Sequence, residues 1–404
     1  MNAATMRAAL ALSLGAAVSL GLARFSYALL LPPMRADLQW SYFTAGAMNT
    51  VNAAGYLAGA LMAPRWLAHH DARRVFLWGM GASAALLALH AIASGDALIA
   101  VLRFATGTAS AATFVGGGLL AARLAASSTL SDTTSSRPRT GLVLGLYYGG
   151  TGAGIVASAL IVPAASWTGS AWRAAWLVLG VAALVAAWGS ARGTQGLAAP
   201  PAARAVSGAF DWRTLRYGLA AYLMFGLGYI GYMTFVVTLL REHGLDAATV
   251  TAFYATLGLA VMASPWLWAR LLERHRGGVP ITLLNGLLAV ATVLPAWRSD
   301  PVLVFVSGAL FGAVFLSIVA STTAMVRHNV SADAWSRGIA AFTIVFAFGQ
   351  IVGPSVVGLI ADGGGGLRAG FVVSACMLAL GSLFGWMQRP GGAANLVARA
   401  GTTR

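Results

Sequence analysis

Two arginines stand inside apolar runs of this chain, and no acid stands with either. Arg24 lies in "GLARFSYALLLPPM" (21–34) and Arg103 in "RFATG" (103–107). A guanidinium stays charged at any physiological pH and offers forked N–H donors that match the paired oxygens of a planar anion. An ionised side chain at mid-bilayer costs about 2.5–3.5 kcal/mol even on insertion-based scales. The eleven acids, Asp37, Asp71, Asp96, Asp132, Asp211, Glu242, Asp246, Glu273, Asp300, Asp333 and Asp362, all fall in expected loops or helix ends. Arg24 therefore has two readings: its partner is an anionic cargo, or it snorkels outward or bonds carbonyls freed by Pro32 and Pro33. Arg103 is a second candidate for cargo contact. Further polar side chains form stripes at 100° per residue: Asn49, Asn52 and Tyr56 within about 60°, and Tyr222, Tyr229 and Tyr232 within about 80°. Such stripes line a cavity or tie helices together by hydrogen bonds. Tyr27, Tyr147, Tyr148 and Gln350 are further lining candidates. His90 is the one histidine inside an expected span, near its end, where a structural role outweighs proton carriage.

The elements that must hold these residues follow from composition. The chain has 404 residues, 58% hydrophobic and 9% charged, with a mean hydropathy of +0.76. Those values exclude an ordinary water-soluble domain and indicate an integral membrane protein. A crossing helix needs about 20 apolar residues, and twelve such segments can be drawn, at about 8–31, 42–63, 75–94, 97–122, 141–163, 174–190, 217–239, 248–269, 279–297, 302–326, 338–360 and 369–388. The first is read as a retained span and not a cleaved signal. The net charge of +15 comes from 26 basic residues, all arginine. With the N-terminus inside, 19 of them fall on one side, five on the other and two within spans. That asymmetry is the positive-inside rule, which puts both termini in the cytoplasm and removes the need for a nucleic-acid partner. Cys376 is the lone cysteine, so neither an intrachain disulfide nor a cysteine metal cluster is expected. On these spans Arg24 and Arg103 sit at one level, roughly 9–11 Å below the outer boundary.

The chain also repeats itself. At an offset of 205 residues Gly21 falls on Gly226, Arg24 on Tyr229, Tyr27 on Tyr232, Arg65 on Arg270 and Gly107 on Gly312. At 204, Gly145, Gly149 and Gly154 fall on Gly349, Gly353 and Gly358. A nearly constant offset over four helix pairs indicates two homologous six-helix halves, 1–190 and 214–390. The polar, Pro- and Ala-rich stretch 191–213 reads as a cytoplasmic linker and 391–404 as a tail. The glycines of "GLVLGLYYGGTGAG" (141–154) lack the preceding strand and following lysine of a nucleotide loop, so close helix packing is their expected role.

Two six-helix halves joined by a long linker resemble the major facilitator superfamily over essentially the whole chain. "GALMAPRW" with Arg73 and Arg74 resembles that family's glycine-and-basic loop, with Pro64 in place of the usual aspartate. "RFATG" resembles its fourth-helix arginine motif, which implies a coupling or structural role for Arg103 as the alternative to cargo contact. "GLARFSY", "FGLGYIGYMTF" and "GQIVGPSVVG" together look like the bacterial YbfB/YjiJ-type branch. The resemblance implies an all-α fold of twelve transmembrane helices in two halves, with helices one and four beside a central cavity. It also implies alternating access and a gating role for Arg65, Arg73, Arg74 and Glu273. Arg24, Tyr27, Asn52, Tyr56, Arg103, Tyr147, Tyr229, Tyr232 and Gln350 are the candidate substrate contacts. The expectation is a monomeric, proton-coupled inner-membrane transporter of small organic anions, without cofactor, metal or catalytic residue. Its rivals are a proton-driven drug or metabolite exporter, disfavoured by acid-free spans, and a non-transporting receptor or scaffold, which would want a soluble domain.

Overall fold

The computed structural model describes residues 3–130, 139–165, 171–197, 210–298 and 300–390. The expected tail lies outside these residues, as does most of the expected linker. Twelve long helices follow in order: α1 (Ala3–Leu38), α2 (Tyr42–His69), α3 (Ala72–Leu89), α4 (Asp96–Leu130), α5 (Arg139–Ala165), α6 (Ala171–Gly193), α7 (Arg216–Glu242), α8 (Ala247–Arg274), α9 (Val279–Trp297), α10 (Pro301–Asn329), α11 (Trp335–Ala361) and α12 (Gly366–Met387). Eleven are long and apolar enough to cross a membrane; α2 is as long, but Asn49, Thr50, Asn52 and Tyr56 lower its apolarity. Among the described residues there is no strand.

The acids placed in loops by the sequence serve largely as helix caps. Asp71, Asp246 and Asp300 each accept a backbone N–H from the first turn of α3, α8 and α10, and Ser41 does the same for α2. Pro280 and Pro301 occupy first-turn positions where no donor is needed. The first span departs from expectation. It does not stop at 31 but continues through Pro32 and Pro33 to Leu38, where Gln39 at φ 54° ends it. Partners off the helix hold this last turn in place: Met34 is fully buried, Asp37 receives Trp172 and Arg173 of α6, and Arg35 reaches Glu242 of α7. Within α1 the stretch Ala17–Phe25 is π-helical, and the Ser26 N–H bonds back five residues to the Gly21 carbonyl at 3.0 Å. Such widened turns concentrate at functional sites, and Arg24 lies in this one.

Helices α1 and α7 are the central members of the two halves. Their most apolar stretches are 83% buried, against 33% for the peripheral α6. The internal repeat reappears as a repeated contact. A methyl at Gly107 would overlap the Asn52 carbonyl where α4 crosses α2, and a methyl at Gly312 would overlap the Leu257 carbonyl where α10 crosses α8. Both residues of the first pair lie 205 positions before those of the second. The halves meet along α2 with α11 and α5 with α8. Gly46 and Gly358 let α2 and α11 approach at backbone distance, and the Thr50 hydroxyl donates to the Ile351 carbonyl at 2.6 Å. Gly152 and Gly258 do the same for α5 and α8, the packing role expected for that glycine run.

The Gly107 crossing gives a stability test. Gly107→Ala places its methyl against the Asn52 carbonyl and 2.8 Å from the Tyr56 nitrogen, and overpacking of this kind costs about 1–3 kcal/mol. Gly81 has nothing within 4 Å of an added Cβ. Thermal melts of the purified protein should show a clear loss for Gly107→Ala and none for Gly81→Ala.

Candidate functional site

Arg24 projects from the π-helical turn into the seam between the halves and is 4% exposed. Its Nη2 donates to Oε1 of Gln350 on α11, and the Tyr229 hydroxyl of α7 donates to the same oxygen at 2.7 Å. Its Nε is buried without a partner. The ring of Tyr56 lies 5.6 Å from the guanidinium carbon and that of Phe25 5.9 Å. Gln350 and Tyr229 belong to the second half, so the sequence's pairing of Arg24 with Tyr229 by internal repeat corresponds to residues meeting at one oxygen. A neutral amide oxygen compensates a cation only partly, and every acid in the described residues lies at a helix end or in a connection.

Arg103 is different in kind. It is fully buried, and its donors reach the Met48 carbonyl at 3.4 Å, the Ala23 carbonyl at 3.3 Å and Asn49 Oδ1 at 3.2 Å. Its guanidinium lies 4.4 Å from the Tyr27 ring centre, and Asn52 donates to its own carbonyl at 2.9 Å. Backbone dipoles and π faces thus surround the charge. The residue fastens α1, α2 and α4, and each of its three nitrogens already holds an acceptor. Asn49 continues this network across the seam by donating to Thr234 of α7 at 2.6 Å.

The other expected contacts separate into two sets. Tyr56, Tyr229 and Gln350 gather around Arg24. Tyr27 donates to the Ala45 carbonyl at 2.9 Å, Tyr147 to the Phe114 carbonyl at 2.7 Å, and the Tyr232 and Ser307 hydroxyls pair at 2.7 Å; these three tyrosines are buried in helix contacts. Tyr148, next to Tyr147, is the one exposed, at 41%. His90 is buried and stacked on Trp176 at 4.6 Å. Of the expected gating residues, Arg73 caps the end of α6 through the Ala191 and Thr194 carbonyls, whereas Arg65, Arg74 and Glu273 are exposed. Sequence reasoning missed Phe225 and Phe346, whose rings stack at 5.3 Å and 7° beside Tyr229. Their helical spacing was the available signal: Phe346 precedes Gln350 by four residues, as Phe225 precedes Tyr229.

A second cross-half cluster closes the bundle end away from the termini. Asp362, at the end of α11, accepts the Tyr42 and Phe43 N–H groups at 2.8 Å each, capping α2 from the other half. The Tyr42 hydroxyl donates to Glu242, which also lies 3.8 Å from Arg35. Arg35 in turn lies 3.6 Å from the Tyr42 ring centre. Together with the Arg24–Gln350, Asn49–Thr234 and Thr50–Ile351 bonds, these ties run from the level of Arg24 to that end.

The sequence matches the profile of a family described as "Uncharacterised MFS-type transporter YbfB" over residues 16–385. The chain belongs to this family. It is therefore a membrane transporter of the major facilitator type, and the all-helical fold agrees. A search of curated proteins gave no match. Among solved structures, a bacterial homologue of the human lysosomal transporter Spinster, inward-facing and unoccupied, is similar at a TM-score of 0.70 and 12% identity, covering 96% of this chain and 97% of its own. The nucleoside transporter NupG is similar at 0.68 and 14%, covering 96% and 99%. At such identities the likeness concerns the fold.

Two outcomes test the closed end. Asp362→Ala removes the cap that α11 lends to α2, so spin labels at Gln39 and Gly364 in a Cys376→Ser background should show a longer-distance population; an unchanged distribution would remove the latch role. Next to Glu242, burial and the nearby Arg368 hold the His243 imidazole below its ordinary range, with Glu242 opposing. The unfolded chain therefore takes up this proton first. The stability from the neutral ring is full above about pH 6.5 and is lost as pH falls through the lower folded value. His243→Gln should flatten the decline in melting temperature between pH 7 and 5.

Proposed function

We propose that this transporter moves small organic anions across the bacterial inner membrane by proton-coupled alternating access, with the cargo held at Arg24. The observation that carries the reading is a buried guanidinium between the halves whose nearest acceptor is a neutral amide. Nε and Nη2 form one edge of a guanidinium, the edge a carboxylate grips with both oxygens. In Arg24 no protein group accepts from Nε, and Nη2 rests on Gln350 Oε1, which stands where a cargo oxygen would bind. Arg103, with each nitrogen bonded inside its own half, positions α1 and α2 and does not touch the cargo.

The arginine asymmetry supports cytoplasmic termini, so on this reading the end tied by Asp362 and Glu242 is the periplasmic one and cargo reaches Arg24 from the cytoplasmic end. The halves 1–190 and 214–390 then rock about Arg24 as single monomeric units joined by the 191–213 linker. For outward opening the Asp362 and Glu242 ties must break. Protons carried by the cargo supply the coupling, since every acid of the described residues lies at a helix end or in a connection.

The test is ligand binding by purified protein, read as a thermal shift against carboxylates, amino acids and cationic drugs. Carboxylates should raise the melting temperature and Arg24→Ala should abolish the effect. Removing one partner of a buried charged contact costs about 2–5 kcal/mol, or thirtyfold and more in affinity. Arg24→Lys should rescue poorly because a point charge cannot replace the fork. Gln350→Glu should be as damaging as Arg24→Ala, because it supplies an internal counter-ion. Anion binding that survives in both variants overturns the assignment.

A further inference from the structure

We propose that the anion is an aromatic carboxylate, with its ring lying in the aromatic cleft that flanks Arg24. This rests on the anion reading and specifies its substrate class.

The rings around the guanidinium come from both halves. The Tyr56 ring on α2 lies 5.6 Å from the Arg24 guanidinium carbon. On the second half the rings are nearly parallel: Phe225 and Tyr229 stack at 4.7 Å and 20°, Phe225 and Phe346 at 5.3 Å and 7°, and Tyr222 and Phe346 at 4.8 Å and 20°. Phe315 continues this set at 6.1 Å and 13° from Tyr229. The stack is therefore a fixed wall of aligned faces, and half-buried Phe346 is its accessible member. On the first half Tyr148 is 41% exposed although Phe114 and Tyr147 rings lie 5.8 Å and 5.2 Å away. One turn to either side of it on α5, Gly145 packs on Pro265 and Trp266 and Gly152 on Gly258, all of α8 in the other half. Tyr148 thus lies on the side of α5 that meets the second half.

Three properties of this cleft select the ligand. Aligned faces favour a flat, offset-stacked ring over a puckered one. A cationic ring is repelled by Arg24, which has no acid to neutralise it. A neutral ring leaves the Nε donor unmatched, whereas a ring bearing a carboxylate fills the fork and the wall together. An aliphatic carboxylate fills only the fork and leaves Tyr148 and Phe346 wet.

The experiment measures binding of benzoate, cyclohexanecarboxylate, acetate and benzylamine to the purified full-length protein by calorimetry. Benzoate should bind about five- to tenfold more tightly than cyclohexanecarboxylate, the weight of one aromatic pair. Benzylamine should not bind. Tyr148→Ala should narrow the benzoate preference, and Tyr148→Phe should retain it, which separates ring stacking from loss of fold. If cyclohexanecarboxylate equals benzoate, or if Tyr148→Ala leaves their ratio unmoved, the aromatic inference fails while the anion reading stands. If no carboxylate binds, or benzylamine binds in preference, both fall.

Discussion

The arrangement of this bundle turns on a buried positive charge that its own chain leaves only partly compensated. Arg24 meets an amide oxygen where a carboxylate would match it, and that oxygen belongs to the opposite half. A cation so placed costs free energy in any state that gives it no better partner. The rest of the structure can be read as what makes the placement tolerable: the widened turn Ala17–Phe25 that presents the side chain, the Tyr56 and Phe25 rings beside it, and the Tyr229 hydroxyl that fixes the amide. The Arg24–Gln350 bond also crosses the seam. On the proposed reading, anything that takes Arg24 from Gln350 changes a contact between the halves, and a ligand shifts a conformational equilibrium only through such differential contacts.

Arg103 shows that the fold can bury a guanidinium without an acid. Two helix carbonyls, one asparagine oxygen and the Tyr27 ring surround it. Its network fastens α4 to α1 and α2 within one half, whereas the contacts of Arg24 reach the other. Two residues of the same type, at the same depth by sequence, thus have separate structural positions. The difference lies in which helix faces surround them, a property of packing that neither run displays on its own.

Much of the fold was legible because it rests on composition and period. Twelve apolar runs became twelve helices, and the 205-residue offset became a recurring backbone contact, Gly107 on Asn52 and Gly312 on Leu257. What escaped the sequence depends on tertiary partners. The end of α1 ran past two prolines because Arg35 and Asp37 hold its last turn from other helices. Tyr147 and Tyr148 are neighbours in a run of similar residues, and 100° of helix rotation buries one and exposes the other. Tyr27 and Tyr232 superpose in the repeat, yet both spend their hydroxyls inside their own half.

The carboxylates complete the physical picture by where they are. Asp71, Asp246 and Asp300 begin helices of their own half, while Asp362 caps a helix of the other. Capping a helix N-terminus in trans couples a helix's local stability to the position of a separate body, because α2 loses two satisfied N–H groups when α11 moves away. Glu242 repeats the logic with Arg35 and Tyr42. The bundle therefore holds its positive charge at mid-depth and its negative cross-half ties at one end. On the proposed mechanism this divides the work. The anion is selected at Arg24 by a guanidinium at mid-depth, and the opening of the far end is governed by the carboxylate ties of Asp362 and Glu242, so cargo recognition and gating need not compete for one side chain.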